Sequence, residues 1–189
     1  MNTKHFLIVC YLILISCGFP IYNIQRDYQF EQGYGIALLS ITSSGDCGYA
    51  YFVEVRDINR GDTCSINMQS DKDKNDWTIK NPKRPLSPKE YVGRLVSIEL
   101  PQGFYEVYQI EGISGNYKVY SKDKISIKFT VDERKVNYLG NLYFYINIFY
   151  LKYRIKNKSI RDLSIFLEKY PQFNRQDIIS NFLSIDVDD

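Results

Sequence analysis

A chain of 189 residues that is 44% hydrophobic and 24% charged suits one compact domain and excludes a disordered or fibrous polymer. Its 24 Lys and Arg against 22 Asp and Glu give a net charge of +2, which supplies no electrostatic footprint for nucleic acid and makes a polyanion an unfavoured partner. Aromatic residues make up 15%, with 17 Tyr and 11 Phe, and this favours half-buried sheet surfaces over helix bundles.

The N-terminus reads as an export signal: Lys4 and His5, then an apolar run from Phe6 to Ile15, then Ser16 and Cys17. As a helix that run is roughly 15 Å long, about half a bilayer core, and is too short to span it comfortably. Leu14-Ile15-Ser16-Cys17 resembles the lipobox of bacterial lipoproteins, with Leu three places before the Cys and a small residue directly before it. The resemblance implies cleavage before Cys17 and lipidation of that thiol, leaving 189 − 16 = 173 residues tethered to a membrane. Gly18 follows the Cys where an Asp would retain the protein in the inner membrane, so outer-membrane placement is expected. Of the four Cys, Cys10 leaves with the signal and Cys17 takes lipid, so Cys47 and Cys64 remain as a candidate disulfide, or else as two free buried thiols.

Residues 17–33 read as the lipidated N-terminus and a polar tether. A β domain is expected over 34–156. Ile36 to Thr42 is an apolar strand ended by a turn cluster, and Tyr49 to Arg56 alternates; Asn59-Arg60-Gly61-Asp62 then turns the chain into a strand over Thr63 to Met68. Residues 70–91, with three prolines and mixed charge, read as a mobile connection. Gly93 to Leu100 and Phe104 to Ile110 flank Pro101-Gln102-Gly103, whose residues suit a type II turn and predict a hairpin. Ile125 to Val131 alternates, Asp132-Glu133-Arg134 links it to Val136, and Asn141 to Lys156 reads as two strands meeting near Asn147. Residues 157–189 read as a helical extension: Ile160, Leu163, Phe166 and Leu167 recur at helical spacing up to Pro171, and Ile178, Ile179, Phe182 and Leu183 form a second stripe after Asn174.

Reactive chemistry is sparse. The only histidine, His5, lies in the signal, so no Ser-His-Asp or Cys-His arrangement is expected in the processed chain, nor a His-ligated metal or other cofactor. Asp71-Lys72-Asp73-Lys74-Asn75 opens like a calcium loop, but Asp76 stands where Gly is needed and Pro82 where a bidentate Glu belongs. Glu54, Glu99, Glu106 and Glu111 are carboxylates of the kind glycoside hydrolysis uses, at strand positions where acids usually face water. Trp77, Tyr143 and Tyr145, from a larger set of strand tyrosines, are candidates for an aromatic platform that binds a glycan or an envelope protein.

Leu100 to Val107, followed by Phe129-Thr130-Val131 and Val136-Asn137-Tyr138-Leu139-Gly140, resembles a broad group of bacterial lipoproteins with transthyretin-like or carboxypeptidase-regulatory-like β-sandwich domains. The resemblance covers roughly residues 92–145, implies a structural signature and brings no catalytic residue. The expectation is a mainly β protein, an antiparallel sandwich of about seven or more strands with two short C-terminal helices. Its expected role is a lipid-anchored, non-catalytic envelope protein acting in binding or assembly. The alternatives are a carbohydrate-active accessory enzyme that uses the carboxylates, or a component of an envelope-spanning machine.

Overall fold

A computed structural model describes residues 23–44, 50–67, 77–78, 92–114, 117–121, 125–146 and 151–185. Cys17, Cys47, the calcium-like loop and most of residues 70–91 lie outside them. Among the described residues twelve strands are formed: β1 (Tyr34–Ser44), β2 (Ala50–Asp57), β3 (Thr63–Asn67), β4 (Trp77–Thr78), β5 (Val92–Pro101), β6 (Gly103–Ser114), β7 (Tyr117–Tyr120), β8 (Ile127–Val131), β9 (Val136–Ile146), β10 (Leu151–Lys156), β11 (Ile178–Ser180) and β12 (Ser184–Ile185). Sheet A runs β10-β9-β1-β5-β4 with β11 also on β9, and sheet B runs β12-β8-β6-β2-β3 with β7 also on β6.

The protein is mainly β and the sheets face each other. Ala37, Leu39 and Ile41 from β1, with Val96, Ile98 and Leu100 from β5, share one core with Val53, Val55, Tyr105, Val107, Ile110 and Phe129 of sheet B. β8 shows the period-2 rule directly, its residues alternating between core and outer face from Ile127 to Val131. Most pairings are antiparallel, but β1 and β11 each run parallel to β9. Parallel neighbours need a long crossover. Between β1 and β9 the chain supplies one by building most of sheet B.

β1 is buried on both sides. Ile36 and Leu38 face away from sheet B and join a second core with Val136 and Tyr138 of β9, Leu163 and Phe166 of helix α1 (Ser159–Lys169) and Tyr170, the residue that caps its C-terminus. A bulge in β9 makes this possible. Leu38 pairs with Tyr138 but Leu39 with Gly140, so the extra residue reverses the alternation; Tyr138 faces the helix while Leu139, Leu142 and Phe144 face sheet B. Gly140 takes φ +100° at the bulge, a conformation that favours glycine.

The structure corrects four expectations. The predicted hairpin at Pro101-Gln102-Gly103 is a corner: β5 belongs to sheet A and β6 to sheet B, and the two do not pair. The Tyr105 hydroxyl donates to the Pro101 carbonyl at 2.7 Å and the Gln102 N–H to the Gly33 carbonyl at 2.8 Å, so the backbone groups freed by the corner find other partners. The second C-terminal helix is replaced by a 3-10 turn at Arg175–Asp177 followed by β11 and β12. Pairing with open edges of β9 and β8 satisfies that segment's backbone, and Leu183 enters the inter-sheet core.

The polar tether gives way to docked chain from Asn23 onward. Ile24 is buried, its N–H donates to the Ser97 carbonyl, and Tyr28 and Phe30 pack on Phe173. Finally, Cys64, the described member of the expected Cys47–Cys64 pair, is not bridged, and Cys47 lies outside the described residues. Cys64 is a free thiol in the inter-sheet core, and burial, with a smaller contribution from Glu54, pushes its pKa up to about 12.

Candidate functional site

Three of the four carboxylates singled out in the sequence are placed in separate pairs. Glu99 accepts from the Tyr28 hydroxyl at 2.6 Å on the outer face of sheet A. On sheet B, Glu106 is bound by Arg56, and Glu111 by Lys118 at 3.0 Å. Glu54 stands opposite Ser65 and Gln109. Burial alone would raise the Glu106 carboxyl, but hydrogen bonds from Ser126 and Arg56 hold it below its ordinary value. A glycosidase general acid needs the reverse shift. The inter-sheet core retains a void of only about 10 Å³, lined by apolar side chains including Leu39, Cys64 and Phe129, which is water-sized at most. Among the described residues, no group of three or more His, Cys, Asp or Glu is placed to hold a metal ion.

The aromatic candidates are divided between places. Trp77 lies in β4, paired with Leu95, at the opposite edge of sheet A from β10. Three strand spacings, about 14 Å, separate it from β9. Tyr143 and Tyr145 stay together two residues apart in β9. Of the other strand tyrosines, Tyr105 is buried against Phe129 with ring centroids 5.4 Å apart, and Tyr108 lies under the Arg56 guanidinium at 5.3 Å.

The outer face of sheet A brings Tyr143 together with residues that composition did not single out. In register, β1, β9 and β10 place Ser40, Asn141 and Lys156 side by side, then Thr42, Tyr143 and Arg154, then Ser44, Tyr145 and Lys152. Leu142 and Phe144 face the inter-sheet core and Tyr153 and Ile155 pack against it, so alternation turns Tyr143, Lys152, Arg154 and Lys156 outward. The Lys156 ammonium lies 3.5 Å from the centre of the Tyr143 ring, a close cation–π contact. Arg154 and Lys152 are exposed.

Below this shelf, toward the start of α1, the same face is closed by a buried polar network. Asp162, fully buried, accepts from the Ser40 hydroxyl at 2.7 Å, the Tyr138 hydroxyl at 2.8 Å and Arg161 Nε at 2.8 Å. Ser40 Oγ in turn accepts from Arg161 Nη2 at 3.0 Å and Asn141 Nδ2 at 2.9 Å. The Thr42 hydroxyl donates to Asn141 Oδ1 at 3.1 Å. Burial, reinforced by the Asp162 charge, raises the Tyr138 phenol, so it remains a donor. No buried side-chain polar atom of the described residues lacks a partner. The network fixes the first turn of α1 on the sheet and sets the lower boundary of the shelf. Asp162 was missed in the sequence because an acid in a helix's first turn reads as solvated dipole compensation.

No family model matches the chain, and no curated protein does. Among solved structures, a leucine-rich repeat protein from Bacteroides thetaiotaomicron aligns over 63% of this chain and 14% of its own length, at 15% identity and a TM-score of 0.37. The chain thus corresponds to about one seventh of that protein.

Proposed function

We propose that the protein is a lipid-anchored cell-envelope protein, held to a membrane through Cys17, whose sandwich acts in binding or assembly and not in catalysis. The observation that carries the binding role is the shelf on the outer face of sheet A, where Tyr143 and three outward cations of β10 lie in adjacent register beside the helix. The pairing of Glu99, Glu106 and Glu111 with Tyr28, Arg56 and Lys118 also favours a non-catalytic role, because each acid is already committed.

Support for the anchor is in the sequence, in the apolar run and the Leu14-Ile15-Ser16-Cys17 pattern. The docked body begins at Asn23, six residue steps beyond Cys17, or about 20 Å when fully extended. A lipidated Cys17 would therefore hold the sandwich close to the bilayer, with Gly18 favouring the outer membrane. The test is fatty-acid labelling and membrane fractionation of wild type and Cys17→Ala in a bacterial host. Label and membrane attachment lost in the variant are expected; equal labelling of both proteins overturns the anchor.

A further inference from the structure

We propose that the shelf formed by Tyr143, Lys152, Arg154 and Lys156 binds an anionic glycan, a polymer of sugars bearing carboxylate or other acidic groups. The inference rests on the envelope-binding reading and gives it a ligand class.

Charge supplies the first argument. Between Lys152 and Arg161 the chain places five cations, Lys152, Arg154, Lys156, Lys158 and Arg161, with no acid among them, in a protein whose totals are nearly balanced at 24 and 22. The first acid after them, Asp162, is fully buried and committed to Ser40, Tyr138 and Arg161.

Spacing supplies the second. Alternate residues of β10 present Lys152, Arg154 and Lys156 on one side at intervals of about 7 Å, a row of about 14 Å. That length matches a few sugar units and is short for a nucleic-acid groove, which tracks many phosphates and stacks several bases.

The third is chemical. The Lys156 ammonium lies over the Tyr143 ring, 3.5 Å from its centre, and this contact holds the cation at a fixed point of the row, where it and Arg154 meet successive acidic substituents of one sugar chain. Cations on an edge strand also deter edge-to-edge pairing. The experiment must separate these two uses.

Full-length protein purified in detergent is titrated with polygalacturonate, with uncharged dextran and with oligo-dT of matched charge. Binding to polygalacturonate that weakens with salt, without binding to dextran, is expected. Arg154→Gln with Lys156→Gln should weaken it about tenfold or more at unchanged Tm, while Arg154→Lys with Lys156→Arg retains it. Unchanged affinity in the neutralised variant, with or without aggregation, overturns the proposal, as does equal or tighter binding of oligo-dT. Titrating Cys17→Ala in parallel separates the inference from the anchor: the glycan titration reports the shelf whatever the state of Cys17, and fatty-acid labelling reports the anchor whatever the shelf binds.

Discussion

The two outer faces of the sandwich are made from strands of the same kind, and they treat polar groups in opposite ways. On sheet A the outward positions of β1 are Ile36, Leu38, Ser40 and Thr42, all buried: Ile36 and Leu38 in the core shared with α1 and the segment beginning at Asn23, Ser40 against Asp162, and Thr42 against Asn141. The polar members of that set are closed into the Asp162 network. On sheet B the outward positions include Phe104, 57% exposed, Tyr120, 48% exposed, and the ion pairs Arg56–Glu106 and Lys118–Glu111. A buried polar group needs every partner in place, because the low dielectric that strengthens its bonds also makes an orphan expensive. An ion pair at the surface competes with water and contributes little. Residues of the same chemical type therefore differ severalfold in importance according to which sheet carries them.

The sharpest way to break this comparison is Asp162→Ala. It leaves the Ser40 and Tyr138 hydroxyls without their acceptor beneath a helix, while the one-third-exposed Arg161 turns to water, and a loss of about 2–4 kcal/mol is expected in urea unfolding. A loss below about 1 kcal/mol would place the network among ordinary surface contacts.

A glycine pair sharpens it next. At Gly35 an added Cβ would lie 2.2 Å from the Asp132 carbonyl oxygen, so Gly35→Ala must move backbone and should cost about 1–3 kcal/mol. At Gly103 the nearest atoms are 3.5 Å away and φ lies outside the positive region, so Gly103→Ala should leave Tm nearly unchanged. Thermal melts of the two variants decide it. The opposite ranking would restore the hairpin that the sequence predicts.

The smallest effect belongs to the open face. Arg56→Ala should cost only about 0.2–1 kcal/mol, since Arg56 is 45% exposed. Its pH dependence has a definite sign. Because the Glu106 carboxyl is held below its ordinary value, its contribution is present above an unfolded pKa of about 4.3 and is lost as pH falls through the lower folded value. Glu106→Gln should accordingly flatten the acid limb of stability against pH, measured by urea midpoints between about pH 5 and 2. An unaltered acid limb would show that the pair contributes nothing.

Much of the sheet content was legible because alternation is a direct imprint of the pleat. The strand over Ile127–Val131 and the division of Asn141 to Lys156 into β9 and β10 both follow from it. The corner at Pro101–Gly103 was not legible, since Pro and Gly suit a turn within one sheet as well as a crossing between two. Ile178, Ile179, Phe182 and Leu183 have spacings that a helix shares with two short strands, and the vacant edges of β9 and β8 decided between them.

At the candidate site, Tyr143 and Tyr145 could be singled out from their strand, whereas the β10 cations were hidden by a net charge averaged over the whole chain. The acid-free stretch from Lys152 to Arg161 was the available signal. Trp77 was grouped with the tyrosines by residue type, and strand order sends it to the other edge of the sheet.

If the outer face of sheet A binds the ligand, matched charge removal on the two faces will separate it from sheet B. Polygalacturonate affinity is measured for Arg154→Gln with Lys156→Gln on sheet A, and for Arg56→Gln with Lys118→Gln on sheet B, each pair removing two positive charges. The first pair should weaken binding about tenfold or more and the second should leave it nearly unchanged. An equal loss from both pairs would reduce the interaction to net charge and contradict a site on sheet A.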